Sequence, residues 1–415
     1  MILRVHYHSE CPWFAGCENM LANLLNEPEV RQQFDVSLSY RSTPAYELGL
    51  AKRTRLDFPV HPLRIPDPST AVPSPTWLPK PIRRAVRVLS RFVATYPLLA
   101  YEVWLLRGLF VRLAPDVVHI NNGGYPAALS ARAAAIAARL AGVLHVVMVV
   151  NNLAEPAGRS SVARAVVDRL VVRGVSRFVT GSVAAASRLR DVLGLADGEV
   201  LSFPNGIAPR AVSETPRETR RRLGIGEQDG VLLGVVALME ERKGHGVLVD
   251  AVARLVRDAG RARAFTVLFE GDGPLRGALE ERVKVAGVGG RIRFVGTEPN
   301  VMNFMAAIDV LVLPSVANED FPNVILEAMG FGKPVIASRL AGTPEQVEDG
   351  VTGLLVPPGD PGALADAVAL IVSSAAVRQE MGGAGHRRFE ERFTAPVSVR
   401  RYAGLYQSFI AEDES

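Results

Sequence analysis

Short apolar runs alternate with helical patterns throughout the C-terminal half of the chain, and no other feature limits the accessible folds as strongly. Val231 to Leu238 predicts a strand, Gly246 to Ala259 a helix, Phe265 to Glu270 a strand, Pro274 to Ala286 a helix and Ile292 to Val295 a strand. Val301 to Ala307 follows as a short helix, Val310 to Pro314 as a strand, Val324 to Gly330 as a helix and Pro334 to Ala337 as a strand. Gly353 to Val356 closes the series before the helical stretch that begins with Pro361 to Ser374. Continuously apolar strands are buried on both faces, and helices between them supply the crossovers that parallel pairing requires. The expectation is an α/β fold with a doubly wound parallel sheet.

The N-terminal half repeats the rhythm less cleanly. Ile2 to Tyr7, Asp35 to Tyr40, Val117 to Ile120, Val146 to Val150 and Arg177 to Thr180 are strand candidates, with helices at Gly16 to Leu25 and Ala127 to Ala141. Prolines between Phe58 and Pro81 predict an extended surface loop. A chain of 415 residues exceeds one ordinary core, so two domains are expected, 1–207 and 208–385. Their linker is expected near 206–215, between the turn Pro204-Asn205-Gly206-Ile207 and a charged helix at Glu214 to Arg222. Residues 386–415 read as C-terminal helices that can return to the first domain.

With 48% hydrophobic and 22% charged residues, the chain is of the packed globular class. A net charge of +4 and a pI near 9.2 suit phosphorylated ligands or an anionic membrane face and fall short of a nucleic-acid signature. Cys11 and Cys17 lack zinc-type or redox-type spacing and are expected to be free thiols in a reducing compartment. Met1 to Tyr7 runs straight into a strand pattern without signal-peptide features, and no uncharged apolar run reaches the ~20 residues that span a bilayer. A cytoplasmic protein, at most peripheral on the inner face of a membrane, is the expectation.

Two stretches carry the chemistry. Lysine occurs only at Lys52, Lys80, Lys243, Lys284 and Lys333, and Lys243 lies in Glu240-Glu241-Arg242-Lys243-Gly244-His245, between a strand and a helix. A cation at a helix start beside a strand's carboxyl end is where a pyrophosphate would be held, and a glycine lets the backbone approach. A solvated charge run in a βα loop is the equal alternative. Glu319 and Glu327 flank the second stretch, Glu319-Asp320-Phe321-Pro322-Asn323-Val324-Ile325-Leu326-Glu327, after a strand ending in Pro314-Ser315. One carboxylate in a loop and a second on a helix two turns later describe a ligand crevice at the carboxyl end of a sheet. Glu270-Gly271-Asp272-Gly273-Pro274 also ends a strand, but its turn geometry is explanation enough, and a ligand role for Gly271 is weak.

Taken together, Arg242 to His245, Glu270 to Leu275, Asp309 to Ser315, Glu319 to Met329, Gly332 to Ser338 and Glu348 to Val356 resemble, in this order, the family-4 retaining glycosyltransferases. The resemblance covers the whole second domain and is looser in the first. It implies the GT-B fold, two Rossmann-like doubly wound parallel-sheet domains facing an interdomain cleft. A nucleotide-diphosphate sugar would be held by the second domain and a carbohydrate or lipid-linked acceptor by the first. By the same resemblance Glu327 binds the ribose hydroxyls, Glu319 contacts the donor sugar and Lys243 the diphosphate. Backbone groups of Phe321, Asn323 and Val324 would lie near sugar and phosphate oxygens, and Gly16 would sit in the loop that approaches the diphosphate. No cofactor beyond the donor substrate is implied, and no metal, since no Asp-x-Asp element follows a matching strand.

Three positions depart from the family. Leu238 stands where an arginine commonly precedes the phosphate lysine, and adjacent Arg242 is the substitute at hand. Asn121 replaces the second histidine of a His-x-His element, so an uncharged amide faces the sugar. His119, the first of that pair, reads equally as a core histidine. Asn151-Asn152 stands where His-Asp is frequent. Same-face attack, with the leaving diphosphate taking the acceptor's proton, needs no protein base, so the mechanism survives these changes.

Between Pro79 and Pro115 arginines alternate with apolar residues, as in a basic amphipathic helix on an anionic membrane. A pair of helices packed on the first sheet with arginines outward is the preferred reading. Bacterial polysaccharide, glycolipid or glycoconjugate synthesis is the expected setting. The rivals are a nucleotide-sugar 2-epimerase on the same scaffold and a non-catalytic sugar-binding relative.

Overall fold

In a computed structural model the chain forms two compact units, Met1–Phe203 with Ser398–Ser415, and Pro204–Val397. The structure describes residues 2–11, 13–14, 16–54, 57–66, 80–126, 129–156, 162–208, 210–258 and 264–413, and only the backbone at 80–94, 162–163 and 412–413. The first unit holds a seven-stranded sheet of β1 (Leu3–Ser9), β2 (Phe34–Arg41), β3 (Val60–Leu63), β4 (Val117–Asn122), β5 (His145–Val150), β6 (Arg177–Thr180) and β7 (Val200–Ser202). The second holds six strands, β8 (Val231–Val236), β9 (Phe265–Glu270), β10 (Ile292–Gly296), β11 (Val310–Leu313), β12 (Val335–Ser338) and β13 (Gly353–Val356).

Their orders are β3-β2-β1-β4-β5-β6-β7 and β10-β9-β8-β11-β12-β13, and every pairing is parallel. Each unit is therefore a Rossmann-like doubly wound sheet. The winding reverses between β1 and β4 and again between β8 and β11, and crevices open beyond the strand ends at such points. Packing follows from the periodicity: the helix His245–Arg257 buries Leu248, Val249, Val252 and Leu255 on one stripe, in one cluster with Leu233 and Val267 of the sheet. Each such side chain contributes about 1.5–3 kcal/mol on burial.

Three expectations need correction. The proline-rich loop from Phe58 contains β3, whose Pro62 is tolerated because β3 forms the edge of the sheet; residues 67–79 of that loop lie outside the described residues. Instead of two helices, one continuous helix, Lys80–Leu113, passes through Pro97. It buries Leu99, Leu106, Leu109 and Phe110 against the helix Leu129–Leu140, and this packing outweighs the lost hydrogen bond. Trp104 remains 70% exposed, while the side chains of Arg83, Arg84, Arg87 and Arg91, central to the membrane alternative, lie outside the described residues.

The tail also divides differently. The helix Ala375–Arg392 belongs to the second unit, where Phe389 lies against Gly330 and Gly385 against Met329. From Ser398 onward the helix Ala395–Asp413 is counted with the first unit, placing Tyr406 among Tyr7 and Phe34. No single described helix is long and apolar enough to cross a membrane.

Candidate functional site

The switch point of the second sheet gathers the charged residues of both chemistry-bearing stretches. After β8 the chain makes a short 3-10 turn, Glu241–Lys243, and ends it at Gly244 with φ +68°. A Cβ at Gly244 would overlap the carbonyl oxygen of Pro314, just past β11, so glycine is required twice over, by conformation and by space. This close approach is fastened by the Val316 N–H, which donates to the Arg242 carbonyl at 2.8 Å. It brings the two cations beside the loop that carries Glu319.

Glu319 is buried, and its Oε1 is the focus of the site. The Lys243 ammonium and the Ser315 hydroxyl, at 2.8 Å, donate to it, and Arg242 Nη1 lies 3.6 Å away. Arg242 also donates to the Asn318 carbonyl at 3.1 Å and pairs with Glu240 at 2.7 Å. Two adjacent cations and one carboxylate thus converge at the carboxyl ends of the two central strands, where an anionic ligand meets least resistance. Leu238, at the position of the usual arginine, is 62% exposed and takes no part.

From Glu319 the loop leads through buried Phe321 into the eight-residue helix Asn323–Gly330. The phenyl ring of Phe321 packs edge-on against Phe393 at 5.8 Å, while its carbonyl accepts from the Asn205 amide at 3.2 Å. Asn205 donates as well to Asn323 Oδ1 at 3.0 Å. Asn323 and Val324 begin the helix, where N–H groups have no intrahelical acceptor and favour negative charge. One turn on, Glu327 is ion-paired through Oε1 with Arg210. Ser315, Asn205 and Arg210 were not singled out in the sequence: the first is one serine among many, and the others lie in a stretch that reads as turn and linker.

Gly271 has φ +118°, and a Cβ there would overlap the Ala237 carbonyl oxygen, so strand-end packing accounts for it. His245, next to the site, is buried edge-on to Phe269 at 5.0 Å, and burial, with help from Lys243, lowers its pKa to about 4.

In the first unit Gly16 opens the helix Gly16–Asn26, and a Cβ there would meet nothing within 4 Å. Asn121, at the end of β4, is buried; its Nδ2 approaches Ser9 Oγ, the Cys17 carbonyl and Glu18 Oε1 at 3.4–3.5 Å, and its Oδ1 accepts from Asn151 at 2.9 Å. It ties the ends of β1, β4 and β5 to the start of the helix that Gly16 opens. Cys11, Cys17 and Glu18 bring their donor atoms within 4.8 Å of one another beside it.

His119 is a core residue. Its Nδ1 hydrogen-bonds to the Tyr406 hydroxyl at 2.6 Å, its ring lies 4.8 Å from that of Tyr7, and burial lowers its pKa to about 3. It anchors the last helix, and of the two readings the packing supports the structural one.

Two family models match the chain, one described as glycosyl transferases group 1 over residues 230–374 and one as a glycosyl transferase 4-like domain over residues 20–206. The 2-deoxystreptamine glucosyltransferase of Streptomyces kanamyceticus is 33% identical over 64% of this chain and 70% of its own length. The lipopolysaccharide core biosynthesis glycosyltransferase LpsE of Rhizobium meliloti is 34% identical over 40% of this chain, a match that spans about half (47%) of that relative. Among solved structures, Anabaena HepE in complex with UDP aligns over 98% of this chain and all of its own at a TM-score of 0.74 and 20% identity. A glycosyltransferase from Rickettsia africae aligns over 99% of both chains at 0.76 and 14% identity, and at such identities the likeness concerns the fold. With both sheets wound in the Rossmann manner and both halves matched, the chain belongs to the family-4 glycosyltransferases of the GT-B fold.

Proposed function

We propose that this protein transfers a sugar from a nucleoside diphosphate sugar to an acceptor hydroxyl with retention at the anomeric carbon, in the synthesis of a bacterial polysaccharide, glycolipid or glycoconjugate. The observation that carries the reading is the convergence of Lys243 and Arg242 on Glu319 at the switch point of the second sheet, with Glu327 on the adjoining helix. The diphosphate would lie against Lys243, Arg242 and the N–H groups of Asn323 and Val324. Glu327 would accept from the ribose hydroxyls and Glu319 from hydroxyls of the sugar. Before the donor arrives Lys243 is paired with Glu319, so binding exchanges that pair for two new ones, Lys243 with phosphate and Glu319 with sugar.

The reaction breaks the bond between the anomeric carbon and the diphosphate oxygen and forms one to the acceptor oxygen on the same face. The acceptor's proton passes to the departing diphosphate, whose charge the two cations stabilise. In this scheme Arg242 stands in for the arginine absent at Leu238, and no charge on the diphosphate is assigned to a metal. Relatives named for glucosyl transfer to 2-deoxystreptamine and for lipopolysaccharide core assembly support a hydroxylated acceptor, and HepE bound to UDP-glucose supports the donor class.

A thermal-shift screen against UDP-, GDP-, dTDP- and ADP-sugars tests the donor. A ligand at a hundred times its Kd stabilises the folded state by about 2.7 kcal/mol and raises Tm by a few degrees. NMR of the transfer product then reads the anomeric configuration. A product with the donor's anomer is expected; an inverted product contradicts the retaining mechanism, and absence of any nucleotide effect contradicts the donor site.

A further inference from the structure

The segment that enters the second unit is fastened across the beginning of the helix Asn323–Gly330. Asn205 holds the Phe321 carbonyl and Asn323 Oδ1 at 3.2 and 3.0 Å. Ile207 exchanges backbone hydrogen bonds with Phe393 and Ala395 at 2.9 and 3.1 Å. Farther along, the Ala211 carbonyl accepts from Asn300 at 3.0 Å and the Ser213 N–H donates to Asn303 at 2.8 Å. Between these fixed points Arg210 reaches Glu327, with both side chains largely shielded from solvent at 29% and 15% exposure. Such a strap leaves the guanidinium little freedom to be elsewhere.

Glu327 is a long side chain with several rotamers, and a carboxylate must be aimed to receive two hydroxyls of a diol at once. One guanidinium N–H on Oε1 uses one of the carboxylate's roughly four lone-pair directions. We infer that Arg210 is a positioning residue for donor recognition: it pre-orients Glu327 so that the enzyme reads the ribose hydroxyls, and thereby discriminates ribo- from 2′-deoxyribonucleotides. This rests on the donor-site reading above, and it assigns a function to a residue in what the sequence presents as linker.

Calorimetric titration of UDP, GDP, ADP and the ribo form of dTDP, each beside its 2′-deoxy counterpart, tests it on wild type, Arg210→Ala, Arg210→Lys, Glu327→Ala and the double variant Arg210→Ala with Glu327→Ala. Wild type should favour the ribonucleotide of the pair it binds by about tenfold or more, since a site built for a hydroxyl rejects the analogue lacking it. Arg210→Ala should lose about tenfold on that ribonucleotide and little on the deoxy form, so the ratio falls towards one, with Arg210→Lys recovering part of it. Once Glu327 is alanine, the same change at Arg210 should have no further effect. An unchanged ribo-to-deoxy ratio in Arg210→Ala overturns the inference, as do equal losses on both nucleotides, which mark a general scaffold role. Tighter ribonucleotide binding in that variant also overturns it, because Arg210 would then block the ribose site. Wild type binding none of these nucleotides, ribo or deoxy, would contradict the donor reading itself, which separates the two failures.

Discussion

At the scale of single residues, Lys243 and Arg242 are neighbours in sequence that reach one carboxylate oxygen by different routes. Gly244 makes this geometry attainable, because the Pro314 carbonyl occupies the space of any Cβ. Gly244→Ala should therefore destabilise the second unit by about 1–3 kcal/mol, through both steric overlap and the left-handed φ, read as a fall in Tm. Gly16 offers the contrasting case. A methyl group there meets no protein atom, so Gly16→Ala should leave Tm unchanged, whereas a nucleotide sugar drawn close to that backbone would bind more weakly. A variant with normal Tm and normal donor affinity would remove Gly16 from the site.

At the scale of elements, the last helix is held to the first unit by a buried polar contact between Tyr406 and His119 inside an aromatic cluster with Tyr7 and Tyr402. Tyr406→Phe leaves the ring packing intact and deprives a buried imidazole nitrogen of its partner. The cost should be about 1–3 kcal/mol, seen as a lower urea midpoint for the first unit; an unchanged midpoint would show that the hydrogen bond does not hold the helix.

The strands were legible because parallel strands buried on both faces must be written as apolar runs: Val310 to Leu313 could hardly be anything else. Prolines misled where packing outweighed their local rule, as at Pro97 within a long helix and Pro62 on a sheet edge. Among the candidate site residues, Lys243 and Glu319 were legible through loops that follow strands, and Glu327 through the helix that follows the second of those loops. Arg210 was not, because its meaning depends on where a tethered linker segment passes, and no periodicity encodes that path. His119 was ambiguous for a similar reason, since its partner is 287 positions away in the chain.

At the scale of the molecule, buried titratable groups set opposing pH dependences. Burial lowers His8 and His119 to about 3 and His245 to about 4, from the ordinary 6.5. Between those values and 6.5 the unfolded chain binds more protons than the folded one. Stability conferred by the neutral rings is thus present above pH 6.5 and falls on acidification towards pH 4, by up to about 1.4 kcal/mol per pH unit per group. Glu102 acts in the other direction. Buried on the helix Lys80–Leu113 and close to Glu10, it is raised from 4.5 to about 8, so the folded state keeps a proton that the unfolded state releases, and stability declines as pH rises from 4.5 to 8. Glu102→Gln should raise Tm at pH 8 and flatten that limb of the profile; an unchanged Tm at pH 8 would argue against a buried, protonated carboxyl.

The claim that joins these scales is that the second unit holds the donor through Lys243 and Glu319 while the chain transfers its sugar. Turnover of the nucleotide sugar found in the thermal-shift screen, measured for wild type, Lys243→Ala and Glu319→Ala at matched folded concentration, tests it most directly. The account expects wild-type turnover and a loss of about a hundredfold or more in kcat/KM in each variant, the scale of removing a group that stabilises the leaving charge or orients the sugar. Full activity in both variants would contradict it.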